Sequence, residues 1–285
     1  MYSRYGWAGQ LWRQALVWLA IGFALFPVAW IVSASLNPAD TLVGQRLIPP
    51  NPTLEHYREL FTNPAHPFGL WLWNSIKVSG ISAVLTVAMA ALAAYAFSRF
   101  RFRGRRTGLL ALLIVQMFPQ MLAMVAIYLM LLAIGQYVPS LGINTHGGLI
   151  LVYLGGALGF NTYLMKGYFD TIPHSLEESA MMDGASAFQA FLHIILPLAR
   201  PVLAVIFLLA FIGTYSDFLL ASILLKERTA LTFAVGLRIF ISGQYSTRWG
   251  VFAAASIVGA LPISVIFYLL RNQFVSGLTQ GAVKA

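Results

Sequence analysis

Nine acidic and five histidine side chains are all that this chain of 285 residues offers for acid, base or metal chemistry, and it has no cysteine. His56, His66, His146, His174 and His193 fall in no H-E-x-x-H pattern, and no G-x-S-x-G supplies a nucleophile elbow. No Lys follows a Gly, so the G-x-x-x-x-G-K-[ST] phosphate cradle is missing too. Without cysteine there is no thiolate nucleophile, Cys-based metal site or disulfide framework. Catalysis finds no support, and neither a metal nor a cofactor is expected on this chain. The acids instead mark two places. Glu177, Glu178 and Asp183 stand in a polar island, residues 171–200, and Asp217 is the only acid inside an apolar run. Asp217 either lines a polar cavity or hydrogen-bonds a neighbouring helix; an intramembrane acid favours the cavity.

The island reads as helix, tight turn, helix. Ser175 is expected to cap a helix beginning at Leu176, with Glu178 at the third helical position reaching back to the Ser175 N–H. Glu177 and Glu178 also suit the positive end of that helix. Gly184 supplies a residue that tolerates positive φ, and Ser186 with Gln189 repeats the capping-box spacing for a second helix that ends near Pro197. An amphipathic connector lying on a membrane surface is the plainer reading of the same pattern.

With 59% hydrophobic and 9% charged residues, the chain is an integral membrane protein. The net charge of +9 does not require nucleic acid, because five of eighteen basic residues sit in one short loop between apolar runs. An all-α architecture with six transmembrane helices is expected, with spans at about 16–34, 76–97, 109–134, 148–169, 201–225 and 249–270. The first is longer than a signal-peptide core, which favours an uncleaved span. Prolines between 36 and 70 exclude a membrane helix there, and Trp71 and Trp73 mark an interface. Pro119 should kink the third span, near Gln116 and Gln120. The fourth carries Asn161 and the pair Gly155 and Gly159, read as packing glycines. In the fifth, Asp217 lies about 24 Å from the Pro201 end.

Arg99, Arg101, Arg103, Arg105 and Arg106 follow the second span with no acid among them, whereas 135–147 has no Lys or Arg. The Arg cluster is therefore expected in the cytoplasm, and counting spans places 171–200 and both termini on that side. The segment 226–248, with four basic residues, runs against the rule. Gly277 and Gly281 argue against a stable helix in the tail 271–285.

The island resembles the EAA loop of ABC-importer permeases. That loop runs Glu-Ala-Ala, three residues, Gly, nine residues, Ile, one residue, Leu-Pro; Glu178, Ala180, Gly184, Ile194, Leu196 and Pro197 fall in register, and Ser179 stands where Ala is usual. Further runs are similar to the smaller permease of maltose/maltodextrin importers: Trp71-Leu72-Trp73-Asn74-Ser75, Gln116-Met117-Phe118-Pro119, Asn144-Thr145-His146-Gly147-Gly148, Lys166-Gly167-Tyr168-Phe169 and the tail from Gly277 to Lys284. The resemblance implies an ABC type I importer permease fold in the inner membrane of a prokaryote, moving such oligosaccharides by alternating access. It implies a larger homologous permease, two ATPase subunits that bind ATP and Mg, an extracytoplasmic sugar-binding protein and surrounding lipid as partners. Ser175, Glu177, Glu178, Ala180, Asp183, Gly184, Ile194, Leu196 and Pro197 would couple to the ATPases, and Gly277, Leu278, Thr279, Gln280 and Gly281 in the tail would contact them. A loop at 236–248 would probe the binding protein. Asp217, Asn161, Gln116 and Gln120 are the candidates for the translocation path. The same machine with another sugar such as trehalose, and a self-contained ion-coupled transporter, are the alternative readings.

Overall fold

A computed structural model describes the backbone of residues 7–242 and 247–282, with side chains at these positions except 7–9, 120 and 275–282. Every regular element among the described residues is helical. They are α1 (Trp7–Leu36), α2 (Glu55–Thr62), α3 (Phe68–Arg99), α4 (Arg105–Gln116), α5 (Gln120–Tyr137), a 3-10 turn (Pro139–Leu141), α6 (His146–Phe169) and α7 (His174–Met182). There follow α8 (Ala187–Ala190), a π turn (Phe191–Ile195), α9 (Leu196–Leu198), α10 (Arg200–Tyr215), α11 (Leu219–Leu224), α12 (Phe233–Ile241) and α13 (Trp249–Ala282). Four of them, α1, α3, α6 and α13, are long and apolar enough to cross a membrane singly. Two bent pairs also qualify: α4 with α5, at 97°, and Ala187–Leu198 with α10, at 77°.

The bends have chemical causes. Pro119 has no N–H and disfavours helical backbone at Phe118, so α4 stops at Gln116 and α5 restarts from Pro119 in an extended conformation, ψ 110°. Ala199, at φ −88° and ψ 4°, breaks the second pair just ahead of Pro201. The segment expected as one span at 201–225 is also interrupted, because α10 ends at Tyr215 and α11 begins at Leu219. Asp217 sits in that gap. Its carboxylate accepts the Ala221 N–H at 3.0 Å, satisfying one of the free donors at the start of α11.

The chain forms two compact units, Met1–Gly69 with Gly236–Ala260 and Leu70–Val235 with Leu261–Ala285. In the first, Arg248 binds Glu59 through both Nη atoms and Asp40 through Nε at 3.0 Å, while Asp40 also accepts the Gly250 N–H at 2.6 Å. Arg248 draws the Glu59 carboxyl below the ordinary carboxylate range, against burial that pushes it up. His56 is buried beside Gly250, whose missing Cβ makes room for the imidazole ring.

In the second unit, α3 buries Trp71, Asn74, Ser75, Val78, Ser79, Ser82, Ala83, Thr86, Ala90, Ala91, Ala94, Tyr95 and Ser98. Their spacing of three and four traces one helical face, and most are small enough to admit close neighbours. Trp71 corrects the expectation of an interface residue: it is fully buried, and its indole N–H donates to the Arg228 C=O at 2.7 Å. Trp73, two positions on, is 60% exposed.

The tail is a second correction. Helix α13 continues through Gly277 and Gly281 to Ala282. Extending an existing helix needs no new nucleus, so two glycines at about 1 kcal/mol each do not suffice to end it.

Candidate functional site

The polar island 171–200 forms a helical hairpin fixed at both its start and its turn. Helix α7 begins two residues earlier than a Ser175 cap would place it. Pro173 holds the N-cap position with no side-chain cap bond, so Ser175 lies inside the first turn and the reciprocal Ser175–Glu178 pairing does not form. Pro173 has no N–H to satisfy and a φ of −57°, and the start it sets takes precedence over the hydroxyl. The helical rotation of about 100° per residue then puts the two neighbouring glutamates on different faces. Ser175, Glu178, Ser179 and Met182, spaced by three and four, are all exposed; Glu177 is the only buried residue of α7.

The turn closes as a Schellman motif. Gly184 has φ +91°, its N–H bonds the Met181 C=O at 3.0 Å, and the Ala185 N–H bonds the Ala180 C=O at 3.0 Å. The second capping box forms in full, with Gln189 N–H on the Ser186 hydroxyl at 3.3 Å and Ser186 N–H on Gln189 Oε1 at 2.7 Å. The widened π turn Phe191–Ile195 stands directly ahead of Pro197, which cannot donate to the preceding turn. Its inward side chains, Phe191 and Ile195, join a core with Tyr95, Met165, Phe169 and Ile206. Ile194 and Leu196 are half-buried and Pro197 is exposed. Between the two arms lies a hollow of about 400 Å³ edged by Ala180, Asp183, Gly184, Gln189 and His193.

A group of side chains that the motif does not contain holds this hairpin. Arg99, the last residue of α3, forms an ion pair with Glu177 in which the two side chains are only 5% and 4% exposed. Arg99 Nη2 also donates to the Ile172 C=O at 3.0 Å, and Nη1 to the Ser98 hydroxyl at 3.2 Å and His174 Nε2 at 3.3 Å. The other Glu177 oxygen accepts from the Tyr95 hydroxyl at 2.9 Å. Beside this pair, Asp170 accepts from Ser98 at 2.7 Å and from Lys166 at 2.5 Å. Burial pushes the Asp170 carboxyl up, but those two hydrogen bonds and the charges of Lys166 and Arg105 outweigh it and hold it below its ordinary value. The sequence signals Arg99 only as one charge of a topogenic cluster, and its separation of 78 positions from Glu177 leaves no local pattern to read.

Gln116, Asn161 and Asp217 are each engaged with helix backbone. Gln116 donates to the Gly156 C=O at 3.1 Å and accepts the Phe160 N–H at 2.5 Å, so one carboxamide serves both ends of a single turn of α6. Gly159 permits this approach; a Cβ there would stand 2.5 Å from Gln116 Oε1 and from the Leu112 C=O. Its expected companion, Gly155, faces open space. Asn161 donates to the Ala157 C=O at 2.7 Å, and Asp217 accepts from the Tyr153 hydroxyl at 2.8 Å. The side chains of Gln120, Leu278, Thr279 and Gln280, the surroundings of Gly277 and Gly281, and residues 243–246 of the expected outer loop lie outside what the structure describes. Among the described residues no three His, Asp or Glu side chains gather as a metal site.

Residues 85–280 match the family described as "Binding-protein-dependent transport system inner membrane component". The maltose/maltodextrin transport system permease protein MalG of Vibrio vulnificus strain YJ016 is 45% identical over 279 residues, covering 94% of this chain and 93% of the relative. MalG of Escherichia coli K12 is 43% identical over 280 residues, covering 94% of each chain. A crystal structure of a bacterial ABC transporter involved in the import of the acidic polysaccharide alginate superposes with a TM-score of 0.74 at 25% identity, covering 95% of this chain and 99% of that one. A second alginate ABC transporter structure, in complex with an alginate pentasaccharide-bound periplasmic protein, shares the fold with a TM-score of 0.66 at 18% identity over 92% of each chain.

Proposed function

The chain belongs to the binding-protein-dependent transport system inner membrane components, and from this we propose that it is the smaller permease subunit of an ATP-driven importer of maltose/maltodextrin-type oligosaccharides. It is the non-catalytic membrane half of such a machine. ATP and Mg belong to two separate ATPase subunits, and a larger permease and an extracytoplasmic sugar-binding protein complete it. The observation that carries the reading is the hairpin 171–200, whose buried face is bolted to α3 while Ser175, Glu178, Ser179 and Met182 face outward. A 9-residue helix with one anchored and one free face suits a part that a partner subunit pushes on. Met182, 88% exposed, and the hollow at Asp183 and His193 give that partner apolar area and polar register. On this reading the hairpin, the Arg cluster and both termini lie on the ATPase side. The 43–45% identity to maltose/maltodextrin permeases supports the cargo. Asp217, half-buried at the break between α10 and α11, is the path residue we favour, with Gln116 and Asn161 shaping the helices around it.

The test is uptake into proteoliposomes carrying this chain, its larger permease and its ATPases, with binding protein outside. Maltodextrin uptake that requires ATP and binding protein is expected. Uptake driven by an ion gradient without ATP would refute the reading, and a competition panel that prefers trehalose would reassign the cargo. A cysteine at 217 in this naturally Cys-free chain should react with an aqueous thiol reagent; protection throughout the transport cycle would remove Asp217 from the path.

A further inference from the structure

Helix α3 is held by polar clamps at both ends and by neither in its middle. At the Arg99 end, the Arg99–Glu177 pair and the Tyr95 hydroxyl fasten it to the hairpin, and Ser98 donates to Asp170 at the end of α6. At the other end, Trp71 donates to the Arg228 C=O at 2.7 Å, and Asn74 donates to the Thr229 and Leu231 C=O groups at 2.9 and 3.0 Å. The Phe233 N–H donates to the Ser75 hydroxyl at 2.7 Å. The segment 228–233 is thereby attached to α3 by four hydrogen bonds to its own backbone, leading directly into α12. Between the clamps the buried face is Val78, Ser79, Ser82, Ala83, Thr86, Ala90, Ala91 and Ala94, mostly short side chains that interlock weakly with their neighbours. A hydrogen-bonded helix of 32 residues is about 48 Å long and stiff along its axis.

We propose that α3 is the strut through which the hairpin 171–200 and the segment 228–233 act on one another. The proposal rests on the importer reading for what moves each end: ATPases at the hairpin, and the binding protein at the expected loop 236–248, next along the chain from 228–233. The buried Arg99–Glu177 pair is the reason to assign force transmission and not mere docking. Holding a hairpin against an apolar core requires no ion pair, and removing two charges from water is unfavourable unless further hydrogen bonds support them, as Ile172, Ser98 and His174 do for Arg99 and Tyr95 does for Glu177. Such a joint is directional: it resists rotation and sliding that apolar contacts would permit. Arg99, Glu177, Tyr95 and Asn74 are then positioning residues.

The experiment uses the full complex in lipid nanodiscs and compares ATP hydrolysis with and without sugar-loaded binding protein. Glu177→Gln at one end and Asn74→Ala at the other are each expected to lower the stimulation ratio about tenfold. A general loss of folding would lower stimulated and unstimulated rates together and leave that ratio unmoved. Because the two clamps act in series, the double variant should be no worse than the weaker single one. Multiplied losses, or an unchanged ratio in both singles, would overturn the strut. Should Glu177→Gln not assemble, Tyr95→Phe removes one bond to the same carboxylate without a charge change, and an unaltered ratio there overturns it equally. A wild-type complex with no stimulation by binding protein would instead count against the importer reading.

Discussion

Glu177 and Glu178 are adjacent and chemically identical, yet one is buried against an arginine and the other is free to meet a partner. Removing the Glu177 carboxylate leaves Arg99 buried without its counter-charge, so Glu177→Ala should destabilise the chain by about 3–5 kcal/mol. Glu178→Ala should stay within about 0.5 kcal/mol in stability and weaken ATPase co-purification. Thermal unfolding and pull-down of the same two variants check both halves. At Gly184 a Cβ would meet nothing within 4 Å, so the constraint is φ +91° alone. Gly184→Val should cost about 1–2 kcal/mol or more, whereas Gly184→Asn, which tolerates left-handed backbone, should cost less. The ordering of midpoints on denaturation decides it; equal losses would place the cause elsewhere. The Glu59–Arg248 contact gives a pH dependence. A carboxyl whose native pKa is depressed contributes stability in full above the unfolded value, about 4.3, and loses it as pH falls through the lowered native value. The gap in thermal stability between wild type and Glu59→Gln should therefore be open at pH 7 and close under acid. The sequence already showed Gly184 and the Ser186–Gln189 box, because capping and positive φ are local. It could not separate Glu177 from Glu178, since their difference is made by Arg99 and Tyr95 on another helix.

At the scale of elements, the two glycines of α6 make a paired test. Gly159→Leu forces a side chain into Gln116 and the Leu112 backbone and should separate α4 from α6, at a cost of about 1–3 kcal/mol or more. Gly155→Ala adds its methyl to open space and should be neutral or gain up to about 1 kcal/mol in helix propensity. Yield of assembled complex and its melting temperature distinguish them. Both glycines read alike in the sequence as packing residues; which one packs depends on where α4 lies, and no periodicity reports that. The break at Pro119 was legible because proline carries its own geometry. The break after Tyr215 was not, since nothing in Ser216-Asp217-Phe218 forbids a helix, and its cause is the Asp217 carboxylate turning to Tyr153 and Ala221.

For the whole molecule, composition alone announced a membrane protein, and the helical tail to Ala282 is where composition misled. Deleting Gly277 to Ala285 is expected to leave the apolar helices inserted and to change substrate-stimulated ATP hydrolysis; identical rates with and without the segment would make it a passive end. The first helix has a plainer meaning. Within Gln10–Leu36 the most apolar stretch has none of its residues buried against the rest of its own chain, and Phe23 is 82% exposed. On the importer reading, copies of this subunit made in excess of a larger permease would carry an open flank that quality-control proteases of the membrane can grip. Its cellular abundance should follow that of the larger permease whatever its own rate of synthesis, and pulse-chase labelling with and without the partner would show a short half-life turning into a long one.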